Sequence, residues 1–174
     1  MLLFVWIWAP WAKYRYQGDG TFTDSGVLHS GFLGCRRYQT RFASISLYKV
    51  GEYRYQFRGL PREKMNLYLS LDHDVTPQSS LWHELPSLQT VIEVVLSDSH
   101  RNKQCGAVEK PGGTFNIDGV PVLTKGFGIA HWCESVQFRP FDSYELVIRI
   151  KAVDSRTGNI SVVPLLGTLE CELP

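Results

Sequence analysis

The stretch from Gly51 to Asp72 leaves few ways to fold. Tyr53, Tyr55 and Phe57 alternate with Arg54, Gln56 and Arg58. After Gly59-Leu60-Pro61-Arg62-Glu63-Lys64, Met65, Leu67, Leu69 and Leu71 alternate with Asn66, Tyr68, Ser70 and Asp72. Side chains change face at each residue of a β-strand, so this period of two predicts two strands, each with a buried and a wetter side. The Gly and Pro between them predict a chain reversal.

The same pattern returns along the chain. Residues 38–48 read as a strand with Ala43, Ile45 and Leu47 on one face, and Phe42, out of phase, predicts a bulge. Leu88 to Ser97 and Ser143 to Val153 alternate strongly, and residues 160–166 read as a final strand that Pro164 places at a sheet edge. Asp118-Gly119 predicts a tight hairpin between residues 115 and 122. Residues 98–113 read as a charged loop, and residues 126–134 (GFGIAHWCE) as an irregular aromatic one. No window carries a sustained helical period. About eight or nine strands with frequent turns predict an all-β chain with few or no long helices. The expected fold is a single antiparallel β-sandwich of the jelly-roll or C2-like kind.

A chain of 174 residues with 44% hydrophobic residues is large enough to build one core without staples. It divides into an apolar segment, residues 1–12, and a sandwich domain, residues 13–174. The first, MLLFVWIWAPWA, carries Trp6, Trp8 and Trp11. It is shorter than the roughly 20 residues that cross a bilayer and lacks a basic start. It reads as the remnant of a membrane anchor, as a first strand, or as a surface that packs on a partner.

Charge and cysteines bound the partners. Eighteen basic residues against 17 acidic ones remove the whole-molecule electrostatic argument for nucleic acid. Cys35, Cys105, Cys133 and Cys171 contain no CxxC pair, so neither a zinc ribbon nor a thioredoxin-type motif is expected. Four cysteines allow two disulfides in three pairings, or four thiols. Cys105 with Cys133 is the candidate bridge, because both stand in the less regular middle of the chain. An extracytoplasmic or membrane-associated location is favoured over a cytoplasmic one.

Chemistry-bearing residue types are present without declaring a reaction. Asp98-Ser99-His100 sets three triad residues side by side, whereas triad members converge from separate parts of a fold. Asp72-His73-Asp74 is the densest ligand cluster, but it reads as a turn, and neither a metal nor a cofactor is expected. His131-Trp132-Cys133-Glu134 joins an imidazole, a large aromatic, a thiol and a carboxylate in a Gly-flanked loop. Sugars stack on exposed aromatic rings beside polar groups, which makes Tyr53, Tyr55, Trp82 and Trp132 candidate platforms beside Arg54 and Gln56. The candidate binding residues are therefore His131, Trp132, Glu134, Trp82, Tyr53 and Tyr55. The expected function is a non-catalytic binding or structural module of a secreted or membrane-tethered protein, with a protein or glycan partner. The alternatives are an enzyme with a metal-assisted site around His131, Trp132 and Glu134, and a homo-oligomer assembled through the Trp-rich segment.

Overall fold

The alternating stretches become two antiparallel sheets facing each other. The computed structural model describes residues 15–28, 35–71, 88–100, 102–117, 119–126, 129–157 and 160–168. The Trp-rich segment, Asp72-His73-Asp74 and Trp82 lie outside these residues. Thirteen strands follow one another among the described residues: β1 (Gln17–Gly18), β2 (Thr21–Leu28), β3 (Cys35–Arg41), β4 (Ile45–Ser46), β5 (Gly51–Arg58), β6 (Lys64–Leu71) and β7 (Val91–Asp98), then β8 (Lys103–Glu109), β9 (Pro111–Ile117), β10 (Val120–Lys125), β11 (Cys133–Gln137), β12 (Ser143–Ala152) and β13 (Ser161–Gly167). The first sheet has the order β1-β5-β12-β7-β8. The second runs β2-β3-β13-β6-β10-β9, with β11 also on β6 and β4 also on β13. A single 3-10 turn, Ser155–Thr157, is the only helical element among the described residues.

The inward faces carry the predicted apolar residues. Tyr55 and Phe57 of β5, Ile92, Val94 and Leu96 of β7, and Tyr144, Leu146, Ile148 and Ile150 of β12 meet Met65, Leu67, Leu69 and Leu71 of β6 in one core. Each of these sides loses its contact with water, the main favourable contribution to a fold of this size. Phe57, Phe138 and Tyr144 pack ring to ring, with Phe138 and Tyr144 edge-on at 4.7 Å between centroids.

Four points refine or correct the sequence reading. First, the chain reversal at residues 59–63 joins strands that lie in opposite sheets, so it carries the chain across the core. Leu60, fully buried, is the reason: a solvent turn would expose it, whereas a crossover can use it to fill the end of the sandwich. Secondly, β13 is not an edge strand but lies between β3 and β6. Pro164 is tolerated because the Pro164 carbonyl accepts from Phe42 N–H at 3.0 Å, on the side where β3 ends and β4 has yet to begin. N and C=O of one residue point to the same side of a strand, so the missing Pro N–H faces that break.

Thirdly, residues 98–113 are not a loop. They contain β8 and the start of β9. The edge strand β8 leaves most of its residues exposed, so no apolar period marks it. Fourthly, β6 has no wet face, since Tyr68 and Ser70 are as buried as Leu67 and Leu69. The strands expected at residues 88–97 and 143–153 and the hairpin at 115–122 correspond to β7, β12 and β9–β10. The stretch 38–48 is split into β3 and β4, and Ala43 is exposed instead of sharing a buried face with Ile45 and Leu47. The eight or nine strands expected are thirteen among the described residues. The break at residues 42–44 sits where Phe42 leaves the phase, and Gly119 takes φ +83° in the β9–β10 turn.

The connection from β12 to β13 is organised by Asp154. Its carboxylate accepts from Gln89 N–H at 2.9 Å and from the backbone and guanidinium of Arg156, while its carbonyl accepts from Thr157. The Arg156 side chain above all, then the backbone donors, hold this carboxyl far below the usual carboxylate range. A depressed folded value stabilises the fold above the ordinary Asp pKa of about 3.9 and loses that contribution as pH falls through the folded value. The stability gap between the native chain and Asp154→Asn should therefore be widest above about pH 4 and narrow as the solution is acidified further. Urea unfolding at several pH values measures it, and a gap that stays constant with pH would exclude this assignment.

Candidate functional site

Two places gather functional side chains, and the first is the bulged corner at β11. Cys133 stands opposite Leu67 and Val136 opposite Met65, so Glu134 and Ser135 together face Asn66. This two-against-one register is a β-bulge, and it lets Cys133 and Val136, three residues apart, both point inward. Ser135 takes φ +49°, the only positive value outside glycine among the described residues. A non-glycine residue there costs on the order of 1 kcal/mol. The Asn66 side chain offsets part of that cost, accepting from Ser135 N–H at 2.6 Å and donating to the Tyr68 hydroxyl at 3.1 Å.

The bulge turns Glu134 back over His131, with Oε2 3.1 Å from Nε2. Glu134 is well exposed and His131 partly so. Trp132, between them in sequence, points the other way into the core, donating Nε1–H to the Leu123 carbonyl at 3.0 Å. Its ring is only 1% exposed, so it packs and offers no stacking face. Beside it, Cys105 of β8 and Cys133 are placed at disulfide distance, with Cα atoms 5.8 Å apart, and the pair ties the edge of the first sheet to the second.

The second place is a groove of about 550 Å³ across one end of the first sheet. Register brings its walls together: Gln17, Arg58 and Ser143 form one row, and Gln56 and Glu145 the next. Arg58 donates to the Gln17 side-chain oxygen at 2.9 Å. Asp98 and Ser99 close the groove where β7 ends. The Asp98 carboxylate accepts from His100 N–H, Asn102 N–H and the amides of Asn102 and Gln104. Desolvation pushes its pKa up, and these donors together outweigh it, leaving the carboxyl below its ordinary value. The Asp98-Ser99-His100 run is thus a turn built on an aspartate. A smaller cavity of about 240 Å³ adjoins, sharing Asp98 and Tyr144 with the groove and adding His100 and Arg139.

Tyr53 and Tyr55 stand apart from both places. The Tyr55 hydroxyl donates to the Ala43 carbonyl at 2.8 Å, and burial pushes its phenol up to about 12. Tyr53 accepts from Ser46 N–H at 3.2 Å. Their rings join the inner side of β5, while Arg54 and Gln56 face water. Arg54 bridges Glu52 and Glu145, and Arg149 bridges Glu52 and Glu93. Lys151 adds a contact to Glu93, and these cations hold the Glu52 and Glu93 carboxyls below their ordinary values, hydrogen bonding from Arg149 being the first cause in both. This ladder matches its own charges. The groove was legible only through Gln56; Gln17, Arg58 and Ser143 are single polar residues whose meeting depends on which strands pair.

Among the described residues no group of three or more His, Cys, Asp or Glu is arranged to hold a metal ion. Comparison of the chain with models of protein families, with curated proteins and with solved structures finds no match.

Proposed function

We propose that this chain is a non-catalytic binding module of a secreted or membrane-tethered protein, a sandwich of the jelly-roll or C2-like kind whose partner is a glycan or a protein. The observation that carries the reading is the groove at the end of the first sheet. It is wide and open, and an amide pair, a guanidinium, hydroxyls and two carboxylates converge on it from four neighbouring strands. Such a set matches the alternating donors and acceptors of a hydroxyl-rich ligand. Its titratable members are already engaged in fixing the walls, which favours recognition of a shape over proton transfer. The Cys105–Cys133 pair supports an oxidising compartment.

The test is binding to a panel of defined oligosaccharides, with Arg58→Ala as the probe of the groove. Loss of a charged hydrogen-bond donor should weaken a bound oligosaccharide by roughly 10- to 100-fold, as about 1.5–3 kcal/mol implies. A panel without a binder, or a binder indifferent to Arg58→Ala, would remove the groove from the glycan reading. A second reading, a small catalytic site, draws on the His131–Glu134 contact at the bulge. Breakdown of any panel member that disappears in Glu134→Gln would favour it.

A further inference from the structure

One large apolar side chain among the described residues stands almost wholly in water. Phe141 is 93% exposed, whereas the next most exposed large hydrophobic, Val50, is at 61%. Phe141 occupies the tip of the turn between β11 and β12. Asp142 N–H donates to the Arg139 carbonyl at 3.2 Å, which closes the turn, and Pro140 fixes the φ of its first corner. Arg139 N–H donates to the Tyr144 hydroxyl at 2.9 Å, so the turn is pinned to the start of β12. Asp, Asn, Ser and Gly are the residues that favour such corners, and a phenyl ring adds nothing to one. The ring is held out on a fixed support and packs on no described residue.

What surrounds the turn is polar. Both of its ends, Arg139 and Asp142, line the smaller cavity, and Tyr144 is shared between that cavity and the larger groove. Arg54, Arg58, Arg149 and Arg156 each commit their guanidinium to a neighbouring side chain. The Arg139 guanidinium and the Asp142 carboxylate have no hydrogen-bond or ion-pair partner among the described residues. A guanidinium only donates and an ionised carboxylate only accepts, whereas a hydroxyl does both. Two vicinal hydroxyls therefore satisfy this pair together. An anionic group would meet Arg139 but also face Asp98 and Asp142 across the same cavity, and like charges brought together oppose binding. An open aromatic face beside such groups complements the apolar C–H face of a sugar ring.

We propose that Phe141 is the stacking platform of a site for neutral oligosaccharides, with Arg139 and Asp142 holding vicinal hydroxyls of the stacked sugar. The inference rests on the reading of the chain as a glycan-binding module and adds to it the class of sugar and the residues that grip it. Affinities of the full chain for neutral, uronic-acid and sulfated oligosaccharides test it, with Phe141→Ala, Phe141→Leu, Phe141→Tyr, Arg139→Ala and Arg58→Ala alongside. Because the ring packs on no described residue, the Phe141 variants should melt with the native chain, so affinity reads the site and not the fold. A neutral member should bind, and Phe141→Ala, Phe141→Leu and Arg139→Ala should each weaken it by roughly tenfold or more. Phe141→Tyr keeps a flat ring and should stay within about threefold of the native chain. A neutral ligand that depends on Phe141 but ignores Arg58→Ala would support the platform and remove the groove. One that depends on Arg58 but binds Phe141→Ala at native strength would overturn the platform and leave the groove standing. Native affinity in Phe141→Leu would rule out stacking, and preference for the acidic members would rule out the neutral class. If no member binds the native chain, the platform and the glycan reading fall together.

Discussion

Replacing Cys105 and Cys133 together by alanine should lower stability by roughly 3–4 kcal/mol. The bridge closes a loop of sequence separation 28, and constraining a loop of that length in the unfolded chain is worth about 3.6 kcal/mol on the chain-entropy model. Its position adds a second reason to expect a large effect. Cys105 lies on β8, the edge of the first sheet, and Cys133 on the short β11 beside β6, so the bond joins two layers at a side where few other contacts do. For a domain of this size each kcal/mol moves Tm by about 2–4 °C, so the double variant should melt roughly 10 °C lower. Alanine is the appropriate replacement because Cys133 is buried and a serine hydroxyl there would need a partner. Equal melting of the native chain and the double variant would mean that the two sulfurs are not bonded. Loss of stability with the groove's ligand affinity unchanged would assign the bridge to the scaffold alone.

The parts of the fold legible in the sequence are those with one wet and one dry face. The strands β5, β7 and β12 have charged or polar residues outward and apolar ones inward, so period two reveals both their existence and their orientation. Period two carries no such information where the two faces of a strand are alike. Strand β8, an edge, turns only Cys105 and Ala107, both small, toward the core and leaves its other residues exposed, and β6 and β13 are buried on both sides, so alternation either fades or misassigns a face. Tyr68 alternates in phase with Asn66 and so reads as a residue of the solvated side; it belongs instead to the second apolar cluster. Pairing is a further step beyond the period. The identity of a strand's neighbours is a non-local property, and the crossover at residues 59–63 was concealed behind a composition equally suited to a hairpin. Leu60 and Pro61, both buried, were the available signal, since tight solvent turns seldom spend apolar residues at their tips.

Candidate sites were legible to the same degree. The His131–Glu134 contact follows from proximity in the chain once the bulge is known, and the Cys105–Cys133 pairing was one of three open to four cysteines. The groove was almost invisible, because Gln17, Arg58 and Ser143 lie far apart in sequence and meet only through the order β1-β5-β12. Tyrosines at i and i+2 marked the inner face of a strand, where the Tyr55 hydroxyl bonds to Ala43 and the Tyr53 hydroxyl to Ser46.

Trp132→Ala should be among the most damaging single substitutions in the described part of the chain, at about 3–5 kcal/mol. The indole is 1% exposed within the main cluster, so truncation leaves a cavity walled by residues of both sheets, which close packing prevents from collapsing fully. Trp132→Phe separates the two contributions. It retains most of the apolar volume but removes the Nε1–H donor, leaving the Leu123 carbonyl without that partner, at an expected cost of about 1–2 kcal/mol plus a smaller packing term. On either side, His131→Ala and Glu134→Gln remove groups in contact with water and should change stability by no more than about 0.5 kcal/mol. Urea unfolding of the four variants measures the series. The contrast carries the argument, because it separates the aromatic loop into a structural anchor and an exposed pair free to act. If Trp132→Ala cost less than about 1 kcal/mol, the ring would not be the plug that its burial describes. If His131→Ala proved as damaging as Trp132→Ala, the imidazole would belong to the scaffold and the catalytic alternative would lose its one free pair.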